Sequence, residues 1–96
     1  LASRPTAVNL RWAVERMQRR LSSLPETERP AAAWQEAAVI CEEDVAVNEA
    51  IGRHGCALIE EIWRRKEDTV HVLTHCNAGW LAFVDYGSAL SPIYMA

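Results

Sequence analysis

A single strand-like segment, residues 69–74 (TVHVLT), most limits how this chain can fold. Side chains alternate along it, and Val70, Val72 and Thr74 share one side of the pleat. A strand must pair with a neighbour, because a lone strand leaves its backbone N–H and C=O groups without partners. No second segment reads convincingly as a strand. We therefore expect these 96 residues to be a piece of a longer protein whose remainder supplies the neighbouring strands.

The rest of the chain has helical patterns. Apolar residues recur at three- and four-residue steps near the start, and Pro30 is well placed to open a second helix. The expected elements are helices over 6–22, 30–51 and 56–66, a break at Gly52–Gly55, and a last helix within part of 81–96. The predicted fold class is mainly α with one core strand.

Composition excludes several classes of protein. Ten basic and 13 acidic residues give a net charge of −3, which argues against a nucleic-acid-binding surface. The apolar stretches fall short of the ~20 residues that span a bilayer, so we expect no membrane partner. Three cysteines without CxxC spacing are typical of a reducing compartment. We predict a cytoplasmic protein.

The predicted strand ends at His75-Cys76-Asn77-Ala78-Gly79. In α/β proteins, ligands bind beyond the carboxyl end of a strand, where a turn leads into a helix. Asn77 tolerates unusual backbone angles, and Gly79 lets a ligand approach the backbone. Backbone N–H groups at the start of a following helix would favour an anion such as phosphate. The position predicts that Cys76 lies at the mouth of such a site rather than in the middle of the strand.

Cys76 has four possible roles: core residue, disulfide half, metal ligand or catalyst. A metal site would need His71, His75 or His54 beside it, but His75 and Cys76 are adjacent on an extended segment and point to opposite sides. The glycines form neither a P-loop nor a GxGxxG motif. We therefore predict no metal and no cofactor. The residues alone leave a buried thiol and a catalytic thiol as open alternatives.

Asp44 and Asn48 lie four residues apart on the apolar face of the second predicted helix. Polar groups on such a face must find hydrogen-bond partners. They either tie helices and loops together or support an active-site loop from behind. We predict a supporting role for both residues and a catalytic role for neither.

Three blocks of sequence resemble one family in the family's own order: SRPTAVNLRWAVERM (3–17), EEDVAVNEAIGRHGCALI (42–59) and LTHCNAGWLAFVDYGSAL (73–90). Together they are similar to the S-methyl-5-thioribose-1-phosphate isomerases, in the superfamily of the initiation factor 2B regulatory subunits. The resemblance implies an N-terminal helical domain followed by a Rossmann-like domain. Residues 1–68 would belong to the first, and residues 69–96 would be the opening strand, loop and helix of the second. It also implies a homodimer.

The resemblance further implies an aldose–ketose isomerase of methionine salvage, acting on a phosphorylated pentose without a cofactor. At matching positions, Cys76 would be the catalytic cysteine and Arg4 would bind the substrate phosphate through its guanidinium. Asn77, Ala78 and Gly79 would shape the loop around the sugar. The family's catalytic aspartate and its other phosphate ligands do not occur in this chain, so the 96 residues alone should be inactive.

Other activities within the superfamily are alternatives. One is a non-catalytic regulatory subunit that senses a sugar phosphate or nucleotide. Others are isomerases of ribose 1,5-bisphosphate or of a related 5-deoxypentose 1-phosphate. The segment after Gly79, WLAFVDYGSAL, has bulkier residues than the alanine-rich versions that the family leads us to expect. This difference leaves open how wide a substrate the site accepts and keeps the related 5-deoxypentose 1-phosphate as an alternative.

Overall fold

The computed structural model describes residue 6 and residues 8–96. Arg4, the predicted phosphate ligand, lies outside the described residues. The elements are helix α1 (Val8–Ser22), helix α2 (Arg29–Lys66), a 3₁₀ turn (Trp80–Ala82) and a short helix α3 (Ser91–Met95). The chain divides into two compact units, residues 1–41 and residues 42–96.

The first unit joins α1 to the start of α2 through a short loop. Helix α1 ends with Arg19 and Arg20 in its last turn, where positive charge complements the helix dipole. The N–H of Leu24 bonds to the carbonyl of Leu21 at 3.1 Å and closes the end of the helix. These bounds confirm the helix expected near the start of the chain.

Helix α2 is continuous, so the break predicted at Gly52–Gly55 is wrong. Both glycines lie inside the helix and face α3. A Cβ built on Gly52 would overlap the Ser91 hydroxyl and lie 2.6 Å from Met95 Sδ, and one on Gly55 would meet the Pro92 ring. The glycines therefore serve the close approach of α3, which outweighs their helix-propensity cost of about 1 kcal/mol each.

The core strand predicted at residues 69–74 is also wrong for the structure of this chain. Residues 69–75 have no regular secondary structure, and Val72 and Leu73 are 50% and 97% exposed. Residue 6 and residues 8–96 contain no strand that could pair with this segment, so it has no ladder to join. The described fold is mainly helical.

Helix α2 is long, with 38 residues, but charged residues recur along it. In the part of the chain that the structure describes, no helix has both the length and the apolar character needed to cross a membrane.

Candidate functional site

Cys76 is an exposed free thiol that directly follows the irregular segment 69–75. Its φ is +71°, in the left-handed region that residues with a side chain rarely adopt. Such backbone strain persists only where surrounding structure holds it, and it concentrates at functional sites. The exposure excludes the core role for Cys76 within this structure and leaves a reactive role open.

The loop after Cys76 is closed by one carbonyl group. The oxygen of Ala78 accepts hydrogen bonds from the N–H groups of Ser88 at 2.9 Å and Leu90 at 3.3 Å. Ala78 itself is buried. The chain therefore leaves the Cys76 segment, makes a loop of about ten residues and returns to the same carbonyl.

Gly87 allows this return. Its φ is +68°, and a Cβ there would lie 2.7 Å from the Ala78 oxygen and 2.8 Å from backbone atoms of Gly79. Tyr86, the preceding residue, also has a positive φ of +62° and is not glycine. The close backbone approach, rather than the dihedral angle alone, therefore requires glycine at position 87.

Two aromatic rings flank the loop. Trp80 and Tyr94 stack with ring centroids 4.4 Å apart and planes 9° from parallel. The indole N–H of Trp80 donates to Asp85 Oδ1, and the same oxygen accepts the backbone N–H of Tyr86 at 2.7 Å. These bonds fix the orientation of the indole.

Helix α3 carries Tyr94 and is attached to α2 by a buried hydrogen bond. Ser91 is fully buried, and its hydroxyl donates to the main-chain oxygen of Asn48 at 2.8 Å. The Asn48 amide donates in turn to Asp44 Oδ2 at 3.2 Å. The Asn48 main-chain oxygen thus joins α3 to α2. The Asn48 and Asp44 side chains bond each other within α2, so the supporting role expected for these side chains stays a prediction.

Cys76 opens onto a cavity of about 400 Å³. The cavity is lined by Cys76, Asn77, Ala78, Gly79, Trp80, Leu81, Ala82, Leu90 and Tyr94. Four of the five predicted site residues therefore meet at one cavity, and Arg4 lies outside the described residues. The sequence reasoning assigned no role to the other five lining residues, Trp80, Leu81, Ala82, Leu90 and Tyr94. The bulky segment after Gly79, residues 80–90, contains all of these except Tyr94.

The expected helix start facing an anion is not found after Gly79. Residues 80–82 form a single 3₁₀ turn, and the Ala82 N–H bonds to the Gly79 oxygen at 3.1 Å. The described residues also contain no group of three or more His, Cys, Asp or Glu side chains that could hold a metal ion. What the site offers is a thiol, an amide, backbone groups and an apolar wall.

Comparison with known proteins covers the entire chain. The chain is 64% identical over 98 aligned residues to the methylthioribose-1-phosphate isomerase of Gluconobacter oxydans. It is 61% identical over 94 residues to the corresponding protein of Cereibacter sphaeroides. The corresponding protein of Rhodospirillum rubrum is 55% identical over 102 residues. All or nearly all of the chain aligns (98–100%), but only 26–27% of each relative. The chain thus spans about a quarter of the length of these relatives.

No solved structure matches the chain. Residues 1–96 match the Initiation factor 2 subunit family throughout. This match confirms the resemblance inferred from the three sequence blocks, and the chain belongs to the Initiation factor 2 subunit family.

Proposed function

We propose that the protein containing this chain is an aldose–ketose isomerase that converts 5-methylthioribose 1-phosphate to 5-methylthioribulose 1-phosphate. The observation that carries the proposal is 55–64% identity, across the whole chain, to proteins named methylthioribose-1-phosphate isomerase. The exposed, strained Cys76 beside a cavity supports it.

The substrate's chemistry defines what the site must do. The phosphate on the anomeric oxygen prevents the sugar from opening to a free aldehyde. The bond between C1 and the ring oxygen must break while the phosphate stays, and the ring oxygen takes up a proton. One hydrogen moves from C2 to C1, and the C2 hydroxyl loses its proton to become the carbonyl. The atoms balance with no added oxidant or reductant.

Cys76 is the candidate catalytic residue for this proton handling, with an aspartate from elsewhere in the protein as its partner. A positioned thiol can give or take a proton at the sugar. Asn77, Ala78 and Gly79 would hold the sugar beside it, and Arg4 would bind the phosphate. The chain would contribute to a Rossmann-like domain of a homodimer in the cytoplasm, with residues 1–68 in a preceding helical domain.

The test is turnover of 5-methylthioribose 1-phosphate by the complete gene product. Replacing Cys76 with Ala should lower kcat by a factor of about 10² or more, the range expected for loss of a general acid–base group. Cys41→Ala is the matched control, because Cys41 is also an exposed free thiol but lies on α2. We expect the control to retain activity within about twofold of the unchanged protein, in line with the small effects of surface substitutions.

Three results would contradict the proposal. Near-normal turnover by the Cys76→Ala protein would remove Cys76 from the mechanism. No turnover by the unchanged complete protein would favour a non-catalytic member of the superfamily. Turnover of ribose 1,5-bisphosphate in preference to the methylthio sugar would point to the related isomerase.

A further inference from the structure

The wall of the Cys76 cavity has two chemically different parts. The first part, residues 76–79, presents the thiol, an amide and backbone groups. The second part consists of the largely apolar side chains of Trp80, Leu81, Ala82, Leu90 and Tyr94. No lysine, arginine, aspartate or glutamate lines the cavity among the residues that the structure describes.

The second part is open rather than occupied by the rest of the unit. Trp80 is 52% exposed, Tyr94 42% and Leu81 107%. Covering these large apolar surfaces with an apolar group lowers the free energy of the system. Their neighbour Leu90 is partly buried and closes the cavity from the side of α3.

The aromatic stack is held in place from both sides. Asp85 accepts the indole N–H of Trp80, so the indole cannot turn without losing that bond. Tyr94 lies on α3, which Ser91 ties to α2. A Cβ on Gly79 would lie 2.8 Å from both the Tyr94 hydroxyl and Leu90 Cδ1, so the Tyr94 hydroxyl lies close against the loop at Gly79. A preorganised apolar surface of this kind binds a ligand at low entropic cost.

The proposed substrate has two ends of opposite character. One end is a phosphate, which needs cationic or multiple N–H donors, and the described residues of the cavity wall include no lysine or arginine. The other end is a methylthio group, which is apolar and polarizable. Thioether sulfur makes favourable contacts with aromatic rings. Only the methylthio end matches the second part of the wall.

We infer that the Trp80–Tyr94 stack, with Leu81 and Leu90, binds the apolar substituent on C5 of the substrate, and that Trp80 determines specificity for it. This inference rests on the proposed function, since it places the same sugar with its reacting end towards Cys76. It assigns the phosphate to residues outside this cavity.

The experiment compares two substrates on the complete gene product: 5-methylthioribose 1-phosphate and 5-deoxyribose 1-phosphate, which lacks the methylthio group. Replacing Trp80 with Ala should lower kcat/KM about 10- to 100-fold for the first and by less than about threefold for the second, as expected for loss of apolar discrimination. The preference for the methylthio sugar should therefore fall at least about threefold.

Two variants serve as controls. Trp63→Ala removes another exposed tryptophan, 56% exposed on α2, and should leave the preference unchanged. Trp80→Phe keeps an aromatic face for the stack but loses the indole N–H, and it should retain most of the preference. If Trp80→Ala fails to fold, Tyr94→Leu, which also breaks the stack, replaces it, with the same fall in preference expected.

The outcomes separate this inference from the proposed function. An equal loss of kcat/KM on both substrates would show that Trp80 only supports the loop, and no loss on either would show that it does not touch the substrate. Each result overturns the inference while leaving the isomerase intact. Inactivity of the unchanged protein on both substrates overturns the proposed function and the inference with it.

Discussion

The hydroxyl of Ser91 donates a hydrogen bond of 2.8 Å to the main-chain oxygen of Asn48, across 43 residues of sequence. Both residues are almost completely buried, at 0% and 2% exposure. The bond fastens α3, five residues long, to a helix that is far longer. Because so short a helix is not stable alone, the position of Tyr94, and with it one side of the Cys76 cavity, depends on this attachment.

Replacing Ser91 with Ala should loosen α3. The change removes one buried hydrogen bond, worth about 1 kcal/mol, without leaving a cavity or an unpaired donor. Amide hydrogen exchange over residues 91–95 of the complete protein should accelerate about fivefold. Ser22→Ala is the matched control, since its hydroxyl also donates to a helix carbonyl, that of Gln18 at 2.6 Å, but at an exposed site. Unchanged exchange in α3 after Ser91→Ala would mean that the bond does not hold the helix.

Replacing Gly55 with Ala should destabilise the contact between α2 and α3, although alanine is the better helix former. The new Cβ would lie 2.6 Å from Pro92 Cβ and overlap the proline ring, which cannot rotate away. Overpacking of this kind costs about 1–3 kcal/mol and exceeds the propensity gain of about 1 kcal/mol. We expect faster hydrogen exchange in α3 and a lower melting temperature. His54→Ala, at the exposed neighbouring position, should change neither, and a stabilised Gly55→Ala protein would contradict the packing argument.

In the first unit, replacing Glu36 with Gln should weaken the contact between α1 and α2. Glu36 Oε1 accepts a hydrogen bond from Arg16 Nε at 2.6 Å, with side-chain exposures of 15% and 23%. Charged hydrogen bonds at partly buried sites contribute about 1 kcal/mol or more, so the urea midpoint of unfolding should fall. Glu60→Gln is the control, because the Arg64–Glu60 pair is 55–70% exposed and such pairs contribute little. Equal shifts for both variants would exclude a special role for the Arg16–Glu36 pair.

Sequence patterns predicted the helices well because helix formation depends on neighbours three and four residues away. Helix α1 and the start of α2 follow from that spacing and from Pro30. The glycines of α2 misled the prediction, since glycine favours breaks locally. These glycines permit a close contact with Pro92 and Met95, which lie about 40 residues away in the chain. No local sequence pattern can reveal such a contact.

The prediction of a strand at residues 69–74 was wrong for a related reason. Alternation predicts that a segment can form a strand, but only a neighbouring strand makes it one. The site was predicted better at its centre than at its edges. Residues 76–79 are consecutive and carry a recognisable motif, whereas Leu90 and Tyr94 reach the cavity only through the return of the loop to the Ala78 carbonyl.

Gly87→Ala should damage the site more than it damages the fold. The added Cβ would lie 2.7 Å from the Ala78 oxygen, which must then move and weaken its bonds to Ser88 and Leu90. The strain costs about 1–3 kcal/mol, and the displaced Ala78 is two residues from Cys76. We expect kcat of the complete protein to fall at least about tenfold, since small misplacements of reacting groups have effects of this size or greater.

A comparison at the preceding position isolates the cause. Tyr86 already has a positive φ, so Tyr86→Gly relieves backbone strain there without adding an atom against Ala78. We expect this control to retain far more activity than the Gly87→Ala protein. The measurement is kcat with 5-methylthioribose 1-phosphate, alongside the rate of Cys76 alkylation by iodoacetamide as a readout independent of turnover. If Gly87→Ala leaves both quantities unchanged, the close approach of the two backbone segments does not position Cys76.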